Sequence, residues 1–137
     1  MVKDDCIFCK LANGVFPTNM IYEDDDFAVI MDASPATKGH SLILPKSHCA
    51  NIYEIPDETA AKVLPLAKKL ATKMTDVLKC DGFYIVQNNG EVAGQTVFHF
   101  HMHLIPRFTD DGNGDKLSWN HADITPEEIS EICGKLK

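Results

Sequence analysis

His99-Phe100-His101-Met102-His103-Leu104-Ile105 alternates polar and apolar residues without a break. In an extended chain successive side chains point to opposite faces, so three imidazoles fall on one face and Phe100, Met102 and Leu104 on the other. The segment from Phe98 to Ile105 therefore reads as a strand with one reactive face and one core face. Side chains two residues apart stand about 6.6 to 6.8 Å from each other, which lets His101 and His103 reach opposite sides of a phosphoryl group. Imidazole suits that work, because a pKa of about 6.5 makes it a neutral nucleophile or a charged donor near neutrality. Three of the chain's six histidines share this face. Satisfied polar residues on a half-exposed strand would account for one histidine more readily than for three.

The elements around this strand follow from simpler patterns. Asn88-Asn89-Gly90-Glu91-Val92-Ala93-Gly94-Gln95, long for a hairpin loop, separates the histidine strand from a strand at Phe83-Tyr84-Ile85-Val86. Backbone N–H groups in such a glycine-rich turn can form a nest for an anion. From Asp57 to about Lys79, Val63, Leu66, Ala67, Leu70, Met74, Val77 and Leu78 recur at helical spacing, with Asp57 as N-cap and Pro65 as a kink. The stripe is a packing face. Met20-Ile21-Tyr22-Glu23 and Phe27 to Met31 flank the acidic Asp24-Asp25-Asp26 as two strands around a solvated turn, and Ser41 to Leu44 is a strand closed by Pro45. Thr109 to Asp115 is rich in turn residues and leads to a tail in which Thr125-Pro126-Glu127-Glu128 opens a short helix through a capping box. The expected fold is α+β: an antiparallel sheet, a long helix and short terminal helices in one domain over 1–137, with a core at about 4–108 and a tail at 109–137.

A formal charge of -7 opposes the neutralisation that long DNA or RNA demands, while a few donors in one pocket can still hold a small nucleotide. No apolar run approaches the roughly 20 residues of a membrane span, and the start Met1-Val2-Lys3-Asp4-Asp5 carries no export pattern, so a cytoplasmic location is expected. Five cysteines, an odd number, argue for reduced thiols over a disulfide framework. Cys6-x-x-Cys9 has no strand before it, which disfavours a thioredoxin-like redox motif and leaves zinc or two buried thiols. Two thiolates need two further ligands for a closed tetrahedral site, and His48 and His99 are the candidates.

The motif His99-x-His101-x-His103 resembles the signature of the histidine triad (HIT) superfamily of nucleotide hydrolases and transferases. Cys6-Ile7-Phe8-Cys9, Tyr22-Glu23-Asp24-Asp25, Asp32-Ala33-Ser34-Pro35 with Gly39-His40, Leu44-Pro45-Lys46-Ser47-His48, and Asn88-Asn89-Gly90 through Val97 resemble the Hint-like and bacterial Hit branch in order and spacing. The resemblance covers Cys6 to Arg107. It implies a five-stranded sheet, two subunits joined sheet to sheet in a homodimer, and a cleft for a small nucleotide on each. By resemblance, His101 would be the nucleophile, His103 would contact the phosphate and leaving group, and His40 would orient the triad begun by His99. Thr96 with the amides of Gly94 and Gln95 would hold phosphate oxygens, and Asn88 would steady that loop. Asp32 would bind the ribose hydroxyls, although Asp-Ala-Ser-Pro also reads as a turn. Phe8, Leu11, Phe16 and Ile30 match base-pocket positions and are equally plausible core residues. The resemblance also implies structural zinc on Cys6, Cys9, His48 and His99.

Three functions remain in competition at this point. The first is hydrolysis or transfer at the α-phosphate of a phosphoramidate, an adenylate or a dinucleoside polyphosphate through a nucleotidyl-histidine. The second is a metallohydrolase whose triad imidazoles hold a catalytic zinc. The third is a nucleotide-binding protein without turnover.

Overall fold

The computed structural model of the protein describes residues 1–114 and 119–137. Asp115, at the end of the expected loose stretch, lies outside the described residues. The elements are α1 (Ile7–Ala12), β1 (Met20–Glu23), β2 (Phe27–Met31), β3 (Ser41–Pro45), α2 (Asp57–Leu78), β4 (Gly82–Gln87), a 3-10 turn (Glu91–Ala93), β5 (Met102–Arg107) and α3 (Pro126–Leu136). The five strands form an antiparallel sheet in the order β1-β2-β3-β5-β4. This is the α+β fold that the sequence patterns imply.

Alternation along the strands divides the core in two. Phe27, Val29, Ile43, Phe100 and Leu104 face α2 and pack on Val63, Leu66, Ala67, Leu70 and Met74. Ala28, Ile30, Leu42 and Leu44 point the other way and pack with Ala12, Phe8 and Leu11 of α1. Both faces of β2 and β3 are thus covered, which is why these strands read as unbroken apolar runs. Each fully buried aliphatic side chain contributes about 1.5 to 3 kcal/mol to this core.

The structure differs from the sequence expectation at the histidine strand, at the start of α2 and at Pro65. The regular strand runs from Met102 to Arg107, so His99 and His101 precede it. Pairing with β3 ends at Ile43↔Met102, and upstream of it Phe100 donates to the Cys49 carbonyl at 2.7 Å. The two-residue alternation nonetheless persists, with Phe100 and Leu104 in the core and the histidines opposite. Pro56 is the N-cap of α2, without a side-chain cap, and Asp57 stands in the first turn, where its charge favours the helix dipole. Pro65 is accommodated on the exposed side of an uninterrupted helix, where the carbonyl it leaves unpaired can meet water.

At Asp24 the acidic turn is a structural device, because its Oδ1 accepts from the Asp26 and Phe27 amides at 2.8 and 2.7 Å. Helix α3 begins with the expected capping box at Thr125 and Glu128 and buries none of its residues. The loop between β2 and β3 is pulled onto the sheet by Thr37, whose hydroxyl donates to the Pro106 carbonyl at 2.6 Å. Gly39 ends that loop at φ +98°, and a Cβ there would lie 2.6 Å from Leu78 Cδ1 and 3.0 Å from Pro106 Cγ. Gly39→Ala should therefore destabilise the fold by about 1 to 3 kcal/mol in denaturant unfolding, through overpacking added to a left-handed backbone. An unchanged midpoint would show that the loop yields freely.

Candidate functional site: a triad with assigned protons and a four-ligand cluster

His101 is 6% exposed and its Nδ1 lies 2.7 Å from the His99 carbonyl oxygen. A carbonyl only accepts, so the ring proton is on Nδ1 and the Nε2 lone pair is free. Phe8 packs edge-on against this ring at 4.9 Å and the His103 ring lies 5.0 Å away, which fixes the orientation of His101 between them. On its far side His103 Nδ1 lies 2.9 Å from His40 Nε2. Asp32 Oδ2 is 3.4 Å from the same nitrogen of His40, and Asp32 Oδ1 accepts from the Ser34 amide at 2.8 Å. Asp32 is thus both a turn residue and a carboxylate at the site.

His99 is fully buried and belongs to a different group. Its Nε2 donates to the Pro45 carbonyl at 2.8 Å, which leaves Nδ1 as acceptor, 3.4 Å from Cys6 Sγ and 3.5 Å from Cys9 Sγ. His48 Nδ1 is 3.4 Å from Cys9 Sγ. The N-terminal segment holds His48 there, through a bond from the His48 amide to the Met1 carbonyl at 2.6 Å. With Zn–S near 2.3 Å and Zn–N near 2.0 to 2.1 Å, a tetrahedral site places S and N about 3.5 Å apart. The chemistry of this donor set fits zinc. Amide donors of Cys9 and Lys3 point at the two sulfurs at 3.3 and 3.4 Å, as thiolates require, and the Pro45 carbonyl supplies the partner that holds a ligating imidazole in place. With both ring nitrogens engaged, His99 has no ring atom left for a substrate.

Among the described residues, two groups gather closely enough to surround a cation: Cys6, Cys9, His48 and His99, and Asp32, His40 and His103. The three triad imidazoles do not converge on one point, which removes the geometry that a catalytic zinc on the triad requires.

The glycine-rich loop is held by its own hydrogen bonds. The amides of Gly94 and Gln95 donate to the carbonyls of Glu91 and Gly90, both at 3.0 Å, and so close the 3-10 turn instead of presenting an anion nest. The Gln95 side chain is 1% exposed and ties the loop down, accepting from the Gly90 amide and donating to the Ala50 carbonyl. Asn88 donates to the Ala93 carbonyl at 2.6 Å. Thr96 is exposed and lines a shallow recess with Lys3, Cys6, His48 and Phe98. Phe8, Leu11 and Ile30 share one apolar cluster beside His101, while Phe16 is 41% exposed and stacks under the Lys10 ammonium. A cavity of about 450 Å³ extends from His103 and His40 over Tyr84, Val86, Asn88 and Arg107.

The model for the HIT domain family matches residues 13–110. The chain belongs to the HIT family. A solved HIT-family structure from Bacillus subtilis superposes with a TM-score of 0.88 at 39% identity, over 97% of this chain and 95% of that one. A Zn-bound histidine triad protein from Mycobacterium smegmatis matches with a TM-score of 0.74 at 36% identity, over 96% and 95%. The adenosine 5′-monophosphoramidase hnt1 of Schizosaccharomyces pombe is 38% identical over 136 residues, covering 96% of this chain and 98% of that protein. No helix of this HIT protein is long and apolar enough to cross a membrane among the described residues.

Burial, with His101 and His40 as neighbours, lowers the His103 pKa to about 4, and burial likewise lowers those of His40 and His101. A histidine whose folded pKa lies below its unfolded value of about 6.5 binds fewer protons when folded. Its contribution to stability is therefore complete above about pH 6.5 and is lost as the pH falls toward about 4. The melting temperature of the HIT protein should fall over that window, and less steeply in His103→Gln. Equal slopes for the two proteins would place the loss elsewhere.

Proposed function

We propose that this HIT protein is a nucleotide hydrolase or nucleotidyl transferase acting at the α-phosphate of nucleoside phosphoramidates, adenylates or dinucleoside polyphosphates. The observation that carries this reading is the His101 ring, whose proton is held at Nδ1 by the His99 carbonyl so that Nε2 is a ready nucleophile beside His103. Nε2 attacks phosphorus, the bond from phosphorus to the leaving group breaks, and that group departs with the electron pair and takes a proton from solvent. His103 donates from Nε2 to the charge that develops on it. Water then attacks phosphorus, breaks the bond to His101 and releases a nucleoside monophosphate. The fission-yeast relative carries the name of a phosphoramidase, which supports the reading.

Asp32 receives the ribose hydroxyls, Asn88 and Thr96 border the phosphate side, and Phe8, Leu11 and the buried Ile30 wall the base. Cys6, Cys9, His48 and His99 would hold zinc, which supplies a structural cross-link between α1, the His48 loop and the triad. Strand β4 is a sheet edge with Ile85 43% exposed, which suits sheet-to-sheet association in a homodimer. A single domain with its core at 4–108, working in the cytoplasm, completes the proposal.

The test is incubation with adenosine 5′-phosphoramidate and with dinucleoside polyphosphates, followed by rapid acid-free quenching and mass spectrometry. Release of AMP together with an adenylyl group on the His101 peptide is expected. Nucleotide binding without release of AMP from any of these would leave a binding protein and end the enzyme reading.

A further inference from the structure

Helix α3 is 11 residues long and buries none of them. Isolated helices shorter than about 12 to 15 residues are marginal in water, and an amphipathic helix draws most of its stability from the face it packs. On α3 that face is Ile129, Ile132, Cys133 and Leu136, whose i, i+3, i+4, i+7 spacing sets all four on one side of the helix, and all four are exposed. The capping box satisfies backbone donors at one end and does nothing for this stripe. A second apolar surface is equally open. A groove of about 480 Å³ runs along the C-terminal half of α2, between Leu70, Met74 and Val77 on one side and Met31 of β2 on the other. Lys38 and Lys73 line it, and among the described residues no carboxylate does. The two surfaces are opposite in charge, since α3 carries Glu127, Glu128 and Glu131 against Lys135.

We propose that α3 docks in the α2 groove of a second copy of this chain, with its apolar stripe on Leu70, Met74 and Val77 and its glutamates toward Lys38 and Lys73. One protomer holds both halves of this contact and keeps them apart, because no residue of α3 lines the groove. Every copy brings both halves. Two copies that exchange helices therefore close on each other and leave neither surface in water. Burial of the stripe supplies the attraction, and the lysines favour a helix rich in glutamate over one without charge. The contact uses α2, β2 and the loop before β3, so it involves no triad residue and does not depend on the nucleotide reading. It is also separate from sheet-edge association through β4.

The experiment is disulfide trapping in the full chain. Val77→Cys places a thiol at the groove on an exposed position, Cys133 supplies the native thiol on α3, and Cys80→Ser removes the half-buried thiol that follows α2. With oxidised glutathione and micromolar protein, the double variant should form a two-chain product at least about tenfold faster than Cys80→Ser alone, since docking raises the local concentration of one thiol at the other. Peptide mapping should place the bond between position 77 of one chain and Cys133 of the other. Ile132→Asp, added to the pair, should slow the product about tenfold, because Ile132 is exposed in the protomer and is buried only on docking. Lys73→Glu should slow it severalfold. A bond between position 77 and Cys133 of the same chain overturns the proposal, since the helix then covers its own groove. So does a product joined through two Cys133 thiols or through two introduced thiols. Trapping no faster than in Cys80→Ser alone, or trapping that Ile132→Asp leaves unchanged, shows collision without docking and overturns it as well.

Discussion

His101→Ala should stop turnover, with a loss of about 10⁴-fold or more in kcat, while nucleotide affinity changes by no more than a few fold. The asymmetry follows from where the ring stands. His101 is the one imidazole at the site with a carbonyl on Nδ1 and an uncommitted Nε2, so without it no side chain is left to form the covalent intermediate. The contacts assigned to base and ribose come from Phe8, Leu11 and Asp32, which the substitution leaves in place. Isothermal titration with a non-hydrolysable nucleotide analogue measures the binding half, and single-turnover kinetics the other. The same mechanism requires two inversions at phosphorus. A substrate chiral at phosphorus should therefore be hydrolysed with net retention. Net inversion, or an alanine variant with wild-type turnover, would count decisively against nucleophilic attack by His101.

Cys9→Ala should abolish tight zinc binding and lower stability by at least about 3 kcal/mol, because metal affinity is coupled to folding when the ligands come from separate segments. Cys9 is a fully buried residue of α1, His48 arrives from the turn after β3, and His99 from the approach to β5. A cation bound to all of them cross-links three stretches that are distant in the chain. Metal analysis of protein purified without chelator should give about one zinc per chain in the wild type, as expected of a closed four-ligand structural site. The variant should give close to none. Specific activity per folded molecule should fall far less than stability, since Cys9 contacts the cluster and not His101 or His103. Wild-type protein without zinc, or equal losses of stability and activity in the variant, would show that the cluster has another purpose.

Much of this was legible in the sequence because it depends on local periodicity. Alternation from His99 to Leu104 assigns each residue a face whether or not every residue lies in regular strand, so Phe100 and Leu104 are core residues even though β5 begins only at Met102. The apolar stripe of α2 and the capping box of α3 are equally local. The spacing of Cys6 and Cys9 suggested a thiolate pair, His48 and His99 were the candidates to complete it, and the resemblance to the HIT family closed the group. What the sequence did not show was where the backbone donors of the glycine-rich loop bond. The amides of Gly94 and Gln95 turned inward to close a 3-10 turn, and a run of turn-forming residues does not say which of its N–H groups remain free. Asp57 lost the N-cap position to Pro56 by one residue for a similar reason, since cap geometry depends on how the preceding chain enters the helix.

The sequence by itself determined which residues share the triad face and which pack the core, because side-chain chemistry and strand period are properties of the chain alone. Only the tertiary structure decided what each imidazole is bonded to. His99, His101 and His103 are the same chemical group at equal spacing, and they are told apart by the oxygen or nitrogen that meets Nδ1 or Nε2 of each: the Pro45 carbonyl, the His99 carbonyl and the His40 ring. Every residue carries a carbonyl and an amide, so no pattern of side chains announces which will be there. The fold brings one partner to one ring nitrogen, the proton follows, and three identical residues are left with three different free nitrogens.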